Sequence, residues 1–372
     1  MKNNTLFMDN YTKNNDMVDE HAFVLEYVYL ANYFFVIEAM LIVPILFGNS
    51  LILFSIARFR RLRTRMNILV ANLSVSDFLV GLIMIPYDIS FVMVEDLRQN
   101  KWTCLLRETF QILFLGSSVL NLLLISVERY LAIMFPLAHV HRRSRKWLAL
   151  LILASWFFAI LVSILPLLGV NTWRPGVPCD SAYTLPKEYT IVTNIVLISS
   201  LIVNFVLYVR VVHKALSQFN FQYDVHTISK CGGVRHVQNR KKNLLKTQIM
   251  IIVLGAFVVC WGPYCIATIV EAVIGESDGT ILTTRFLSSF GRLNCGINWI
   301  IFGVKNRTYR NAFIYILWCR KGLTENSLMV KESMWCTYIY SIALPLLQTC
   351  ITLDTKLWEY NQALLCDLPW EH

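Results

Sequence analysis

The chain has 372 residues, of which 56% are hydrophobic and 16% charged, well below the roughly one quarter charged residues of soluble domains. That balance excludes an ordinary globular protein and leaves a helical membrane domain with polar ends. The formal net charge of +10 would suit a nucleic-acid binder, but the basic residues cluster in loops between apolar runs, where a face against anionic lipid accounts for them without nucleic acid.

Residues 1–31 precede the first span as the N-terminal segment, and their first 20 lack the apolar core and small-residue cleavage site of a secretory signal. A bilayer-spanning helix needs about 20 mostly apolar residues. Seven stretches qualify: 32–57, 67–92, 104–134, 147–169, 189–212, 246–271 and 281–304. The first span then acts as an uncleaved signal-anchor. Between spans 1 and 2, between spans 3 and 4, and from Arg210 to Lys246 at spans 5 and 6 lie five, four and eight Lys/Arg, with Asp224 as the sole acid. The opposite loops carry Glu95, Asp96, Asp180, Glu188, Glu276 and Asp278. Under the positive-inside rule the basic loops and the C-terminus are cytoplasmic and the N-terminus is outside. The sequons at Asn3 and Asn10 are then glycosylation candidates, whereas the one at Asn306 falls inside.

Polar residues interrupt most spans. Span 1 carries Glu38 and Gly48-Asn49, and span 2 Asp77 and Asp88. Span 3 carries Arg107, Glu108, Gln111, Ser118 and Asn121 and ends in SVERYLAIMFP, with Glu128, Arg129 and Tyr130. Span 7 carries Arg292, Asn294 and Asn298. Ionisable groups inside a bilayer are costly and are therefore paired or functional. A buried carboxylate such as Asp77, ringed by amides and hydroxyls, can hold water or a monovalent cation. At the outer end the bland reading pairs Arg292 with Glu38 and Arg107 with Asp88. The sharper reading has Arg107 or Arg292 receive an acidic ligand group by bidentate hydrogen bonding. Cys104 and Cys179 lie on the oxidising side, which permits a bridge. Cys260 and Cys265 read as buried small residues, and no cluster reads as a metal site. Residues 305–320 form a short amphipathic stretch ending at Cys319, a free cysteine or palmitoyl candidate. The tail, 321–372, holds Trp335, Tyr338, Tyr340, Trp358, Tyr360 and Trp370. It reads as a membrane-lying segment or as an extension without selected structure.

Seven spans, GN in span 1, LSVSD in span 2, Cys104 twenty-five residues before Arg129, Trp156, CWGP in span 6 and Asn298 together resemble the rhodopsin-like G-protein-coupled receptors over about residues 30–320. The resemblance implies an all-α seven-transmembrane bundle with an amphipathic helix after span 7, in the plasma membrane. It implies an extracellular ligand, a heterotrimeric G protein and arrestin as partners, and no enzymatic activity. It gives Glu128 the task of holding Arg129 at rest. Trp261 and Pro263 fall on the helix-6 hinge, with Phe257 and Val119 as packing neighbours. Tyr208 matches a tyrosine that swings towards the helix-3 arginine. Asn49, Asp77, Ser118, Asn294 and Asn298 match the lining of a sodium and water pocket. Arg107, Gln111, Trp261, Arg292, Glu38 and Asp88 are the ligand-pocket candidates.

Several positions depart from the family. Span 7 reads Asn298-Trp299-Ile300-Ile301-Phe302 where N-P-x-x-Y is usual, Ser200 stands at the span-5 proline position, and Asn243 replaces a helix-6 acid. Gln111 stands where amine receptors have aspartate, which disfavours a monoamine. Arg292 stands at the retinal-lysine position and cannot form a Schiff base, so no retinal is expected. The departures keep open a non-signalling or constitutively active receptor. A seven-span transporter is the more remote alternative, since no internal repeat or broken-helix pair is evident.

Overall fold

A computed structural model describes residues 36–135, 145–176, 179–226, 234–275 and 278–318. The sequons at Asn3 and Asn10, Cys319 and the tail lie outside the described residues. Helix α1 spans Val36–Arg58. Helix α2 begins at Arg65–Leu79, widens into a π turn at Val80–Met84 and continues as Ile85–Met93. The Thr64 hydroxyl caps its start by accepting from the Asn67 N–H at 3.3 Å. The π turn lies just before Pro86, whose missing N–H interrupts the hydrogen-bond ladder. Helix α3 spans Lys101–Met134, capped by the Asn100 side chain, which accepts from the Trp102 N–H at 2.9 Å.

Helix α4, Arg145–Ser163, is shorter than the apolar run 147–169. Hydropathy continues through Ile164-Leu165-Pro166, but proline cannot continue the ladder, and Gly169 at φ 119° turns the chain away. Helices α5, Lys187–His226, and α6, Val234–Ile274, exceed their apolar runs. Hydropathy reads the thickness of a bilayer, whereas the helix ladder continues through polar residues. Helix α7 covers Asp278–Lys305, and α8 covers Arg307–Trp318 within the expected 305–320. The Asn306 side chain accepts from the Thr308 N–H at 3.0 Å and so caps the start of α8.

Among the described residues, α1–α6 are long and apolar enough to cross a membrane. Helix α7 has the length but is diluted by charged and amide side chains, of which Arg292, Asn294 and Asn298 are buried against other helices. It thereby completes a seven-helix bundle of a multi-pass membrane protein. Helix α3 is its axis, packing against α2, α4 and α5, while α6 packs on α5 and α7. Only 17% of the apolar stretches of α4 and α5 is buried, against 56% in α2 and α3, so Leu153, Phe157, Ile202 and Phe205 present a lipid-facing surface. The main core runs through Ile52, Leu69, Ile125, Phe257 and Tyr309.

Candidate functional site

The disulfide between Cys104 and Cys179 (Cα–Cα 5.8 Å) pins the α4–α5 connection to the start of α3. That connection is further tied by the Thr172 N–H donating to the Thr184 carbonyl at 2.9 Å. Beneath it opens a cavity of about 760 Å³ lined by residues of α1, α2, α3, α6, α7 and the connection itself, a size suited to a small organic ligand. Its wall is highly charged. Arg292, 2% exposed, donates to Glu38 Oε1. It also reaches Asp88 Oδ2 at 2.6 Å and Gln111 Oε1 at 3.2 Å. Arg107 Nε donates to Asp88 Oδ1 at 2.9 Å, and its Nη1 lies 3.3 Å from Glu108 Oε1. Arg285 Nε donates to Asp180 Oδ2 at 3.0 Å. Both pairings anticipated by the bland reading are thus present, and each guanidinium already holds a carboxylate. Gln111 donates to Ser288 Oγ at 3.1 Å, so it too is engaged.

Five of the six ligand-pocket candidates line this cavity; Trp261 does not. The indole lies deeper because α6 and α7 meet there closely: a Cβ on Gly291 would stand 2.6 Å from the Trp261 ring. Tyr264, one helical turn along α6, takes its place at the cavity wall and touches Trp261 edge to face at 5.6 Å. Trp261 in turn lies 6.4 Å from Phe257, and Phe257 packs in the same core as Val119 and Tyr208.

Mid-bundle, Asn298 Nδ2 donates to Asp77 Oδ2 at 2.7 Å. Asn49 Nδ2 donates to the Cys295 carbonyl at 3.0 Å, and Ser76 Oγ lies 2.5 Å from Ser117 and 3.5 Å from Ser118. Four buried acceptors, Asp77 Oδ1, Asn49 Oδ1, Asn294 Oδ1 and Asn298 Oδ1, have no hydrogen-bond partner among the described residues. Unmet acceptors beside a carboxylate fit a cation or water. Nearby, Asn72 joins three helices, accepting from Trp156 Nε1 at 2.9 Å and donating to Asn121 Oδ1.

At the far end of α3 no direct hydrogen bond or ion pair joins Glu128 to Arg129 among the described residues, although Glu128 stands close enough to act on the Arg129 charge. Glu128 Oε1 faces Arg65 Nε of α2 at 3.4 Å, and Arg129 Nε donates to Met66 Sδ at 3.0 Å. Tyr208, buried, stands close enough to Arg129 to feel its charge. Tyr130 stacks edge to face on Phe135 at 6.2 Å. Phe302 packs on Tyr309 of α8 at 5.3 Å, and Pro263 lies inside α6. Sequence reasoning left out Tyr264 and Arg65 from the site. Tyr264 was signalled by its position three residues after Trp261, on the same helix face; Arg65 sat unremarked in a loop-like basic run.

The sequence pattern described as "7 transmembrane receptor (rhodopsin family)" matches residues 48–302. The chain is 29% identical to Trace amine-associated receptor 365 of Petromyzon marinus, over 73% of this chain and 76% of that receptor. It is 25% identical to Octopamine receptor beta-2R of Chilo suppressalis, over 75% and 78%. It is also 25% identical to a QRFP-like peptide receptor of Branchiostoma floridae, over 74% of each. Receptors named for amines and for a peptide stand at similar distance, so similarity alone does not choose a ligand class.

Proposed function

Because the chain belongs to the rhodopsin family of seven-transmembrane receptors, we propose that it is a plasma-membrane receptor that binds an extracellular ligand and activates a heterotrimeric G protein. The observation that carries this reading is the continuous path from the cavity through Tyr264, Trp261 and Phe257 to the core beside Tyr208. A ligand pressing on Tyr264 shifts the Trp261 indole against Gly291. That shift reaches α6 near Pro263, where the ladder lacks an N–H and bends most readily. Movement of α6 at the Arg129 end then opens the crevice that receives the G protein, and later arrestin. Asp77, Asn294, Asn298 and Asn49 would hold a sodium ion, which supplies the positive charge that the buried Asp77 carboxylate otherwise lacks. Gln111 is already bonded to Ser288 and Arg292, which argues against a monoamine held there. The basic faces lie against anionic lipid in this reading, with the N-terminus outside.

The test is basal cAMP and inositol phosphate in cells expressing the wild type and Arg129→Ala at matched surface density. A wild-type signal lost in the mutant supports coupling through Arg129 and identifies the G-protein class. Ligand binding without any second-messenger change in either form would overturn the signalling reading and leave a decoy. A constitutively active receptor is the second reading, favoured by one observation: Glu128 pairs with Arg65 while Arg129 donates to Met66 Sδ.

A further inference from the structure

The ion network on the cavity wall does not balance. Glu38, Asp88 and Glu108 bring three carboxylates, and Arg107 and Arg292 bring two guanidiniums. Arg292 is engaged by Glu38 and Asp88, and Arg107 by Asp88 at 2.9 Å. Asp180 and Arg285 pair at 3.0 Å and are equal in number, and Glu95 and Arg98, one of each sign, are exposed at the rim. The surplus falls on Glu108 at the end of the chain of pairs. It is 4% exposed. Its one ionic contact among the described residues is Arg107 Nη1 at 3.3 Å, a sequence neighbour that cannot face it squarely on a helix. A buried carboxylate without a full counter-charge is costly, and this one lines a cavity large enough to admit the missing charge.

We propose that Glu108 anchors the cationic group of the ligand: an organic ammonium, guanidinium or amidinium that enters the cavity and completes the network. The proposal deepens the receptor reading and rests on it. The anchor lies one helical turn from Gln111, towards the disulfide. Tyr264 and Trp173, also on the wall, offer aromatic faces to the flat or apolar part of such a ligand. The same geometry argues against an acidic ligand, since Arg107 and Arg292 already hold carboxylates and a further anion would deepen the surplus.

The test needs no signalling, so its failure is separate from failure of G-protein coupling. Purified receptor is melted with increasing benzamidine or methylguanidine, with neutral benzamide as the control. A short peptide ending in an amidated arginine tests whether the cation is presented by a peptide instead. The expected result is a saturable rise in melting temperature with at least one cation and none with benzamide. In Glu108→Gln the apparent affinity falls on the order of thirtyfold or more, and Glu108→Asp restores part of it. Glu108→Gln leaves two carboxylates for two guanidiniums, so the variant folds at least as well as the wild type. No cation-selective rise in the wild type, or a rise that persists undiminished in Glu108→Gln, overturns the proposal.

Discussion

Glu128 and Arg129 are adjacent in sequence, yet side chains one residue apart on a helix point about 100° from each other. Each therefore takes the partner its own direction offers, Arg65 at 3.4 Å for Glu128 and Met66 Sδ at 3.0 Å for Arg129. Arg65 competes with Arg129 for one carboxylate. Removing it in Arg65→Gln lets Glu128 turn towards Arg129 and restrain it. A partly exposed ion pair is worth up to about 1 kcal/mol, so basal second-messenger signal at matched surface density should fall about two- to fivefold. Glu128→Gln, by contrast, should leave the basal signal nearly unchanged; a rise in Arg65→Gln would refute the competition. Contacts at this scale were unequally legible in the sequence. The Asp77–Asn298 bond, 221 positions apart, was legible because a buried carboxylate demands a donor and span 7 supplied amides. The diversion of Glu128 was not, because only the packing of α2 beside α3 brings Arg65 within reach.

At the scale of the element, α7 departs most from its family, and its packing shows how the departure is accommodated. Trp299 stands where a proline would bend the helix, and its indole fills the space over Gly48 of α1, edge to face with Phe47 at 5.8 Å. A Cβ on Gly48 would stand 1.8 Å from Trp299 Cδ1, a distance no side chain tolerates. Gly48→Ala should therefore destabilise the receptor by about 1–3 kcal/mol, the usual cost of overpacking, read as a lower melting temperature and reduced surface expression. Gly48→Ala combined with Trp299→Leu should recover most of that loss. If the double variant is as unstable as Gly48→Ala alone, the clash is not with Trp299. Helix existence was legible throughout the described spans, because each needs an apolar run of bilayer length. Helix ends were less so: Pro166 cut α4 short while polar residues carried α5 and α6 beyond the apolar limit.

For the whole molecule, the bundle follows from hydropathy in six helices and from burial of polar groups in the seventh. The proposed orientation rests on charge. Three loops on one side, with the flanking Arg210 and Lys246, carry 17 of the 34 Lys/Arg with a single acid, and retention of such loops on the cytoplasmic side sets topology. The disulfide falls on the opposite side, with Cys104 and Cys179, where oxidising conditions let it persist. Both signals support the proposed direction, with the N-terminus outside, and that proposal makes a joint prediction about segments outside the described helices. An epitope at the N-terminus should bind antibody on intact cells, and one at the C-terminus only after permeabilisation. Glycosidase should lower the apparent mass of the wild type, and Asn3→Gln with Asn10→Gln should abolish that shift without altering the epitope pattern. An N-terminal epitope reached only after permeabilisation would invert the chain, placing the charged cavity and Glu108 on the cytoplasmic face, where no extracellular ligand could enter.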